Sequence, residues 1–434
     1  MDYFNYKNGE LFCEGVRISD IIKTHGTPAY IYSKKTITGH FEKINKAFSK
    51  TGFLKTICYS VKANANLSIL NLMKRRGSGF DVTSGGELFR ALKIGADPEK
   101  IVFAGVGKTS EEIENAIRIG VFLLNVESAQ ELKVVDECAG RVGKIQNIAL
   151  RVNPDVDPHT HKYITTGRHK NKFGLEFKQA GKIIENSGLY KNINICGIHL
   201  HIGSQITSVK PFAVGLQKVH AFLNLVDPFK KIKYIDIGGG FGIWYNDKEA
   251  KTAEEIADGL KPVLKKLGRK IILEPGRFIV GNAGILVTRV LYVKSTGRKT
   301  FVICDAGMND LIRPTLYDAY HRIWPAELSE KYNGTEPEKC TIKKQLIKVD
   351  VVGPVCESGD FFAKSRSLPE VKSGSLLAIF STGAYGYAMS SNYNSHCRPC
   401  EIMVSDNEFM VINNRESYED LIKHESLISE GNFQ

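Results

Sequence analysis

From Thr36 onward the chain alternates between two hydrophobic periods. Short apolar runs at residues 56–60, 79–82, 101–104, 122–126, 148–152, 196–201, 234–237 and 271–274 have the length and β-branched content of buried strands. Between them, apolar residues recur three and four apart at 67–76, 86–94, 111–119, 129–138, 180–187, 209–226 and 253–267, the spacing of amphipathic helices. Eight strands with seven helices between them and another leading in is the count of a (β/α)8 barrel. A doubly wound sheet is the alternative. Polar residues close nearly every strand run, however, whereas a doubly wound sheet gathers its site at one switch point, and this favours the barrel.

The flanks read differently. Residues 10–13 and 29–33 predict short strands around a helical 18–25, and after Arg277 strand-rich sequence takes over at 285–294, 300–304, 347–355, 376–380, 402–404 and 409–412. The expected organisation is therefore an N-terminal segment, 1–35, packing with a C-terminal all-β domain, 281–434, of sandwich or barrel type, and a barrel over 36–280. Residues 153–173 hold Asp155, Asp157, His159, His161, Arg168 and His169 with little apolar periodicity, so we expect an active-site lid there. Residues 331–339 look like a surface excursion.

Composition narrows the classes. With 42% hydrophobic residues in 434, the chain can bury a large core. The net charge of +12 is spread along helical segments without a basic tract or stacking-aromatic motif, so no nucleic-acid partner is expected. The same field would favour an anionic substrate or cofactor. Nine scattered cysteines argue for reduced thiols. No run approaches the roughly 18 apolar residues of a membrane span and the first residues lack a signal-peptide layout, so a cytoplasmic protein with no membrane partner is expected.

If the barrel reading holds, chemistry lies at the C-terminal strand ends. There the chain offers Lys62 and Asn64; Asp81 and Ser84; Gly105; Asn125 and Glu127; Arg151 and Asn153; His201, Gly203 and Ser204; Gly238, Gly239 and Gly240; and Glu274, Gly276 and Arg277. A lysine delivered into a pocket by a strand suits an amine nucleophile, because partial burial disfavours its ammonium form. The Gly238-Gly-Gly-Phe-Gly242 run could cradle a phosphate on backbone N–H groups, or simply turn the chain. Glu274 could hold a heteroaromatic nitrogen protonated while Arg277 clamps an anion, or the two could form a local ion pair. His199 and His201 share a strand face, and two readings stay open: paired metal ligands, or His201 as a flat ring stacked on a cofactor. The Cys397-x-x-Cys400 pair, lacking two further close ligands, reads as structural.

Taken together, Tyr59-Ser-Val-Lys62-Ala-Asn64, Phe80-Asp-Val-Thr-Ser84, His201-Ile-Gly-Ser-Gln205, Gly238-Gly-Gly-Phe-Gly242 and Glu274-Pro-Gly-Arg277 resemble the motifs of the fold-type III pyridoxal-phosphate decarboxylases. Asp310-Leu-Ile-Arg313-Pro-Thr-Leu-Tyr317, Cys356-Glu-Ser-Gly-Asp360 and Gly383-Ala-Tyr385-Gly resemble the diaminopimelate-specific branch of that family, and Asn171-Lys-Phe-Gly174 is close to its Ser-Lys-Phe-Gly. The resemblance implies pyridoxal 5'-phosphate carried on Lys62, with Asp81, His201, Ser204, Gly239, Gly240, Glu274, Gly276, Arg277 and Tyr385 around it. It also implies that Arg277, Arg313, Tyr317, Glu357 and Tyr385 hold the substrate, that Cys356 joins Lys62 in catalysis, that no metal is used, and that a homodimer shares its sites. The activity implied is decarboxylation of meso-diaminopimelate to L-lysine. The alternatives are another amino acid on the same scaffold, such as carboxynorspermidine, ornithine, arginine or a carrier-bound glutamyl group, or a zinc-dependent barrel hydrolase.

Overall fold

A computed structural model describes residues 2–157, 172–245, 250–332 and 345–428. The chain divides into two units, Thr36–Asn282 and Met1–Lys35 with Ala283–Gln434.

In the first unit, strands Lys55–Ser60, Gly79–Val82, Ile101–Phe103, Leu123–Val126, Gln146–Arg151, Ile193–His199, Tyr234–Asp236 and Lys270–Leu273 pair in parallel, each with the next. The last returns to the first through Ile271 opposite Lys55 and Leu273 opposite Ile57, which closes the barrel. Gly79–Val82 and Leu123–Val126 are buried at every position, because one face fills the barrel and the other meets helices. Cys58, Val102, Leu123, Ala149, Cys196 and Ile272 form one core cluster.

The helices between strands begin and end on local chemistry. Ser84 accepts the N–H of Glu87, Ser128 that of Glu131, and Thr109 and Thr252 form reciprocal capping boxes with Glu112 and Glu255. Gly120 and Gly143 end their helices in the left-handed conformation that lets the chain turn into the next strand.

The second unit holds a nine-stranded mixed sheet. Its path runs Phe361–Leu368, Ile347–Val352, Thr300–Cys304, Gly284–Ser295, Ala29–Ser33, Cys400–Ser405 and Glu408–Asn413, with Leu376–Ile379 paired to Gly284–Ser295 and Ile323–Pro325 to Leu376–Ile379. The N-terminal strand Ala29–Ser33 is fully buried, antiparallel to Gly284–Ser295 and parallel to Cys400–Ser405. Its two tyrosines satisfy their hydroxyls inside the unit, Tyr30 donating to the Asp310 carbonyl at 2.6 Å and Tyr32 to Glu401 Oε1 at 2.7 Å. Phe4–Lys7, Glu10–Cys13 and Val16–Arg17 form a separate three-stranded sheet.

Two strands of the nine-stranded sheet were not expected from the hydrophobic pattern. Phe361–Leu368, with Lys364, Ser365 and Arg366 in mid-run, lies at the sheet edge, where charged positions can face water. Ile323–Pro325 is too short to show a period. The expected lid falls largely on 158–171, and most of the surface excursion on 333–344, outside the described residues.

Candidate active site

The barrel strand Lys55–Ser60 ends in a 3-10 turn, Val61–Ala63, which carries Lys62. Its Nζ lies 2.8 Å from Asp81 Oδ2, with the lysine side chain about a third exposed and the aspartate fully buried. Ser60 Oγ donates to the same oxygen. Burial pushes the Asp81 carboxyl up, as does the charge of Glu274, while Lys62 and Ser60 oppose the shift. Its other oxygen, Oδ1, is buried with no hydrogen-bond partner among the described residues.

Four buried side chains from four other strand ends meet beside this pair. Asn125 Nδ2 lies 3.4 Å from Glu274 Oε1 and 3.5 Å from Asp236 Oδ2, and Asp236 Oδ1 accepts the Gly238 N–H at 2.9 Å. His199 Nε2 stands 3.4 Å from Glu274 Oε2, off the line of a hydrogen bond. Burial and the neighbouring Glu274 charge push Asp236 well up. Burial also acts to raise Glu274, but His199, Lys62 and the bond to Asp236 outweigh it and hold its carboxyl far below the usual range. The two neighbouring acids are thus pushed in opposite directions, Asp236 toward its neutral form and Glu274 toward the anion.

His201 continues from the same strand and accepts the Gly239 N–H at its Nδ1, 3.3 Å away. Surrounding protein and the charges of Arg151 and Lys62 push its pKa well down, so the ring is neutral and its proton sits on Nε2. The glycine run is required by close approach. A Cβ on Gly239 would stand 2.2 Å from the Glu274 carbonyl oxygen, and one on Gly240 2.2 Å from that of Gly203; Gly238 and Gly240 also have φ of +68° and +88°. On Gly276 a Cβ would meet the Cβ atoms of Ala63 and Ser60 at 2.9 Å. Arg277 donates to Ser204 Oγ at 2.9 Å and Tyr245 Oη at 2.7 Å, while Glu274 is engaged by His199, Asn125 and Asp236, so these two do not form a local ion pair.

The barrel thereby gathers Lys62, Asp81, His201, Ser204, Gly239, Gly240, Glu274, Gly276 and Arg277. Glu127 and Arg151, also at strand ends, form a buried pair at 2.6 Å. The metal reading of His199 with His201 changes: His199 groups with Asp236 and Glu274, their ligand-type atoms within 4.8 Å of one another. Asp236 went unnoticed in the sequence, although a carboxylate inside the apolar run Tyr-Ile-Asp-Ile was a usable signal.

In the second unit, Arg313 opens the short helix Arg313–Tyr317 and is buried, while Tyr317 and Tyr385 are half-buried, the latter at φ +57°. Cys356 and Glu357 are exposed, on a loop pinned by Asp360, which accepts the Met308 and Val355 N–H groups at 2.7 Å each. Cys397 and Cys400 are free thiols, and Cys400 accepts from Arg415 at 3.7 Å, a structural contact.

Residues 34–281 match the family model for the pyridoxal-binding domain of pyridoxal-dependent decarboxylases. A diaminopimelate decarboxylase of Aquifex aeolicus is 47% identical over 97% of both chains, and that of Haemophilus influenzae 42% identical over 99% of this chain and all of its own. The chain belongs to the diaminopimelate decarboxylase family. Among solved members of that family, the enzyme of Helicobacter pylori in complex with L-lysine superposes with a TM-score of 0.87, at 40% identity over 93% of this chain and 98% of its own. That of M. jannaschii, also with L-lysine, gives 0.91 at 37% identity over 98% of both.

The cofactor of this family fits the residues present. An amine at one strand end, a carboxylate pushed toward its anion, an imidazole pushed toward its neutral form and a glycine-lined backbone, with Ser204 and Arg277, are chemically suited to its aldehyde, ring nitrogen, ring face and phosphate. The buried, unbonded Asp81 Oδ1 and Asn125 Oδ1 mark polar groups that a ligand or its water would satisfy. Among the described residues no helix is long and apolar enough to cross a membrane.

Proposed function

We propose that this chain is a carboxy-lyase that removes the carboxylate at the D-centre of meso-2,6-diaminopimelate, releasing carbon dioxide and L-lysine as the last step of lysine biosynthesis. The observation that carries the reading is Lys62 beside buried Asp81, with ionised Glu274 and neutral His201, at the strand ends of one closed barrel. Relatives that share nearly the whole length bear the same activity in their names.

Pyridoxal 5'-phosphate bound there supplies the electron sink for the pair left behind by carbon dioxide. Lys62 Nζ is the amine that would hold the cofactor, and Asp81 fixes that amine in place. Glu274, pushed toward its anion while Asp236 is pushed toward its neutral form, would pair with the ring nitrogen and favour its protonated form. His201, oriented by Gly239, would contact the ring. Ser204, Gly239, Gly240, Gly276 and Arg277 would hold the phosphate, a role also assigned to Tyr385.

Diaminopimelate ends in both an ammonium and a carboxylate. Glu357 takes the first, while Arg277 and Arg313, with Tyr317 and Tyr385, take the second, guanidinium being matched to carboxylate in bidentate fashion. Cys356 Sγ or Lys62 Nζ returns a proton to the carbon that lost carbon dioxide. Because Cys356 and Glu357 are exposed, we assign them to the site of a second copy in a cytoplasmic homodimer.

The deciding measurement is the visible spectrum of the purified protein with and without meso-diaminopimelate. A band near about 420 nm that shifts on addition while L-lysine accumulates is the expected result. A band that does not move, with no lysine formed, would overturn the substrate assignment. No band after adding the cofactor, with stoichiometric zinc instead, would overturn the reaction class.

A further inference from the structure

The loop that bears Cys356 and Glu357 is closed by one buried carboxylate. Asp360 is 4% exposed, and its two oxygens face two backbone donors: Oδ1 accepts the Met308 N–H and Oδ2 the Val355 N–H, each at 2.7 Å. Val355 directly precedes Cys356. Met308 lies in the turn before Arg313, where the Gly307 carbonyl accepts the Asp310 and Leu311 N–H groups at 2.9 and 3.1 Å. Burial pushes the Asp360 carboxyl up, against the two N–H groups, which favour its anion.

The backbone leaves room for that carboxylate and for little else. A Cβ on Gly353 would stand 2.5 and 2.6 Å from its two oxygens, and one on Gly307 3.1 Å from Oδ2 and 2.9 Å from Pro354 Cδ. The loop then closes on itself, Asp360 N–H bonding the Glu357 carbonyl at 3.1 Å and Glu357 N–H that of Val355 at 2.8 Å. Outer braces hold the tip: Asn394 Oδ1 accepts the Cys356 N–H at 2.9 Å, and the Tyr393 hydroxyl bonds Glu357. Thr315 Oγ1, on the helix bearing Arg313, donates to the Gly359 carbonyl at 2.6 Å.

A carboxylate accepts at both oxygens, and hydrogen bonds to an ionised acceptor are the strong kind. The amide of asparagine accepts at one side only and would set its NH2 group against the other backbone N–H. The position therefore suits aspartate, and what it keeps in shape is the exposed pair at the loop tip. A tip that must enter another subunit's site gains by arriving preformed, since residues ordered on docking cost conformational entropy. We infer that Asp360 is a positioning residue, which holds Cys356 and Glu357 in the shape in which they enter the site of the second copy. The inference rests on the reading of that pair as belonging to the second copy's site.

The test uses the holoenzyme of Asp360→Asn, alone and in mixed dimers. Alone, we expect kcat/KM for diaminopimelate to fall roughly 10- to 100-fold, the scale for site groups displaced by an ångström, with the cofactor's absorption band at its wild-type position and strength. Reassembled in equal amounts with Lys62→Ala, it should recover about a quarter of wild-type activity, because half of the dimers are mixed and each joins one unaltered barrel to one unaltered loop. Reassembled with Cys356→Ala it should stay at the residual level, because both defects lie in the same loop. Should Asp360→Asn fail to fold, Asp360→Ser, which adds no bulk, is read in the same two mixtures. The control mixture is Lys62→Ala with Cys356→Ala. Where the control recovers, wild-type activity in the variant alone, recovery with Cys356→Ala, no recovery with Lys62→Ala, or loss of the fold in both variants would overturn the positioning role. A control that does not recover although mixed dimers are present would remove the second-copy reading, and the inference with it.

Discussion

Asp236 and Glu274 stand together in a barrel interior that disfavours two carboxylate charges side by side, which pushes Asp236 toward its neutral form, while His199 and Lys62 hold Glu274 toward the anion. Asp310 in the β unit shows the same physics with a readout in stability. Burial pushes its carboxyl up to about 7 against the Gly307 N–H bond that favours the anion. A carboxyl whose pKa is raised by folding contributes stability that is complete below its unfolded value and lost as pH rises through the folded one. Asp310→Asn, permanently neutral, should therefore match wild type in thermal unfolding below about pH 3.8 and exceed it by a few degrees near pH 9. An equal shift at both pH values would show that burial of charge is not the cause. At this scale the sequence was informative wherever a polar residue closed an apolar run: Lys62, Asp81, Glu274 and Arg277 stood out for that reason. His321 did not, because its buried contact is with the carbonyl of Phe380, 59 positions further on, which only the strand pairing brings beside it.

The segments around the barrel mouth are packed backbone against backbone, and the glycines measure how closely. The spacing of Gly238 to Gly242 admitted a turn or an anion cradle, and the two are compatible: Gly238 and Gly240 turn the chain at positive φ, while Gly239 and Gly240 lie against the carbonyls of Glu274 and Gly203. Gly239→Ala would drive a methyl to 2.2 Å from the Glu274 carbonyl oxygen, so the strand end bearing Glu274 must move. We expect the variant to fold but to bind pyridoxal phosphate at least roughly tenfold more weakly, read from the absorption band during cofactor titration, since misplacing a site group by an ångström is costly. Unchanged affinity would mean that the loop is not part of the cofactor site. The repeating strands and helices were legible because each buries a continuous face. The edge strand Phe361–Leu368 was not, because its charged positions carry the signature of a loop.

Across the whole molecule the decisive question is whether one copy suffices. Cys356 and Glu357 are exposed in a single chain, and the proposal assigns them to a second copy's barrel. Two variants, Lys62→Ala and Cys356→Ala, should each be nearly inactive. Dissociated, mixed and reassembled, they should recover about a quarter of wild-type activity, because half of the dimers are mixed and each mixed dimer rebuilds one intact site of two. No recovery, with mixed dimers demonstrated by mass, would show that each chain works alone. The arrangement of Ala29–Ser33 bears on how the chain is made. That strand leaves the ribosome before the barrel, yet its neighbours in the sheet, Gly284–Ser295 and Cys400–Ser405, emerge only after the whole barrel has been translated. A nascent chain therefore carries a strand destined for full burial with both edges open while the barrel is made, the form most prone to pair with a stranger. Slowing translation late in the message, or removing the last β-strands, would lengthen that exposure and lower the soluble yield without touching a residue of the active site.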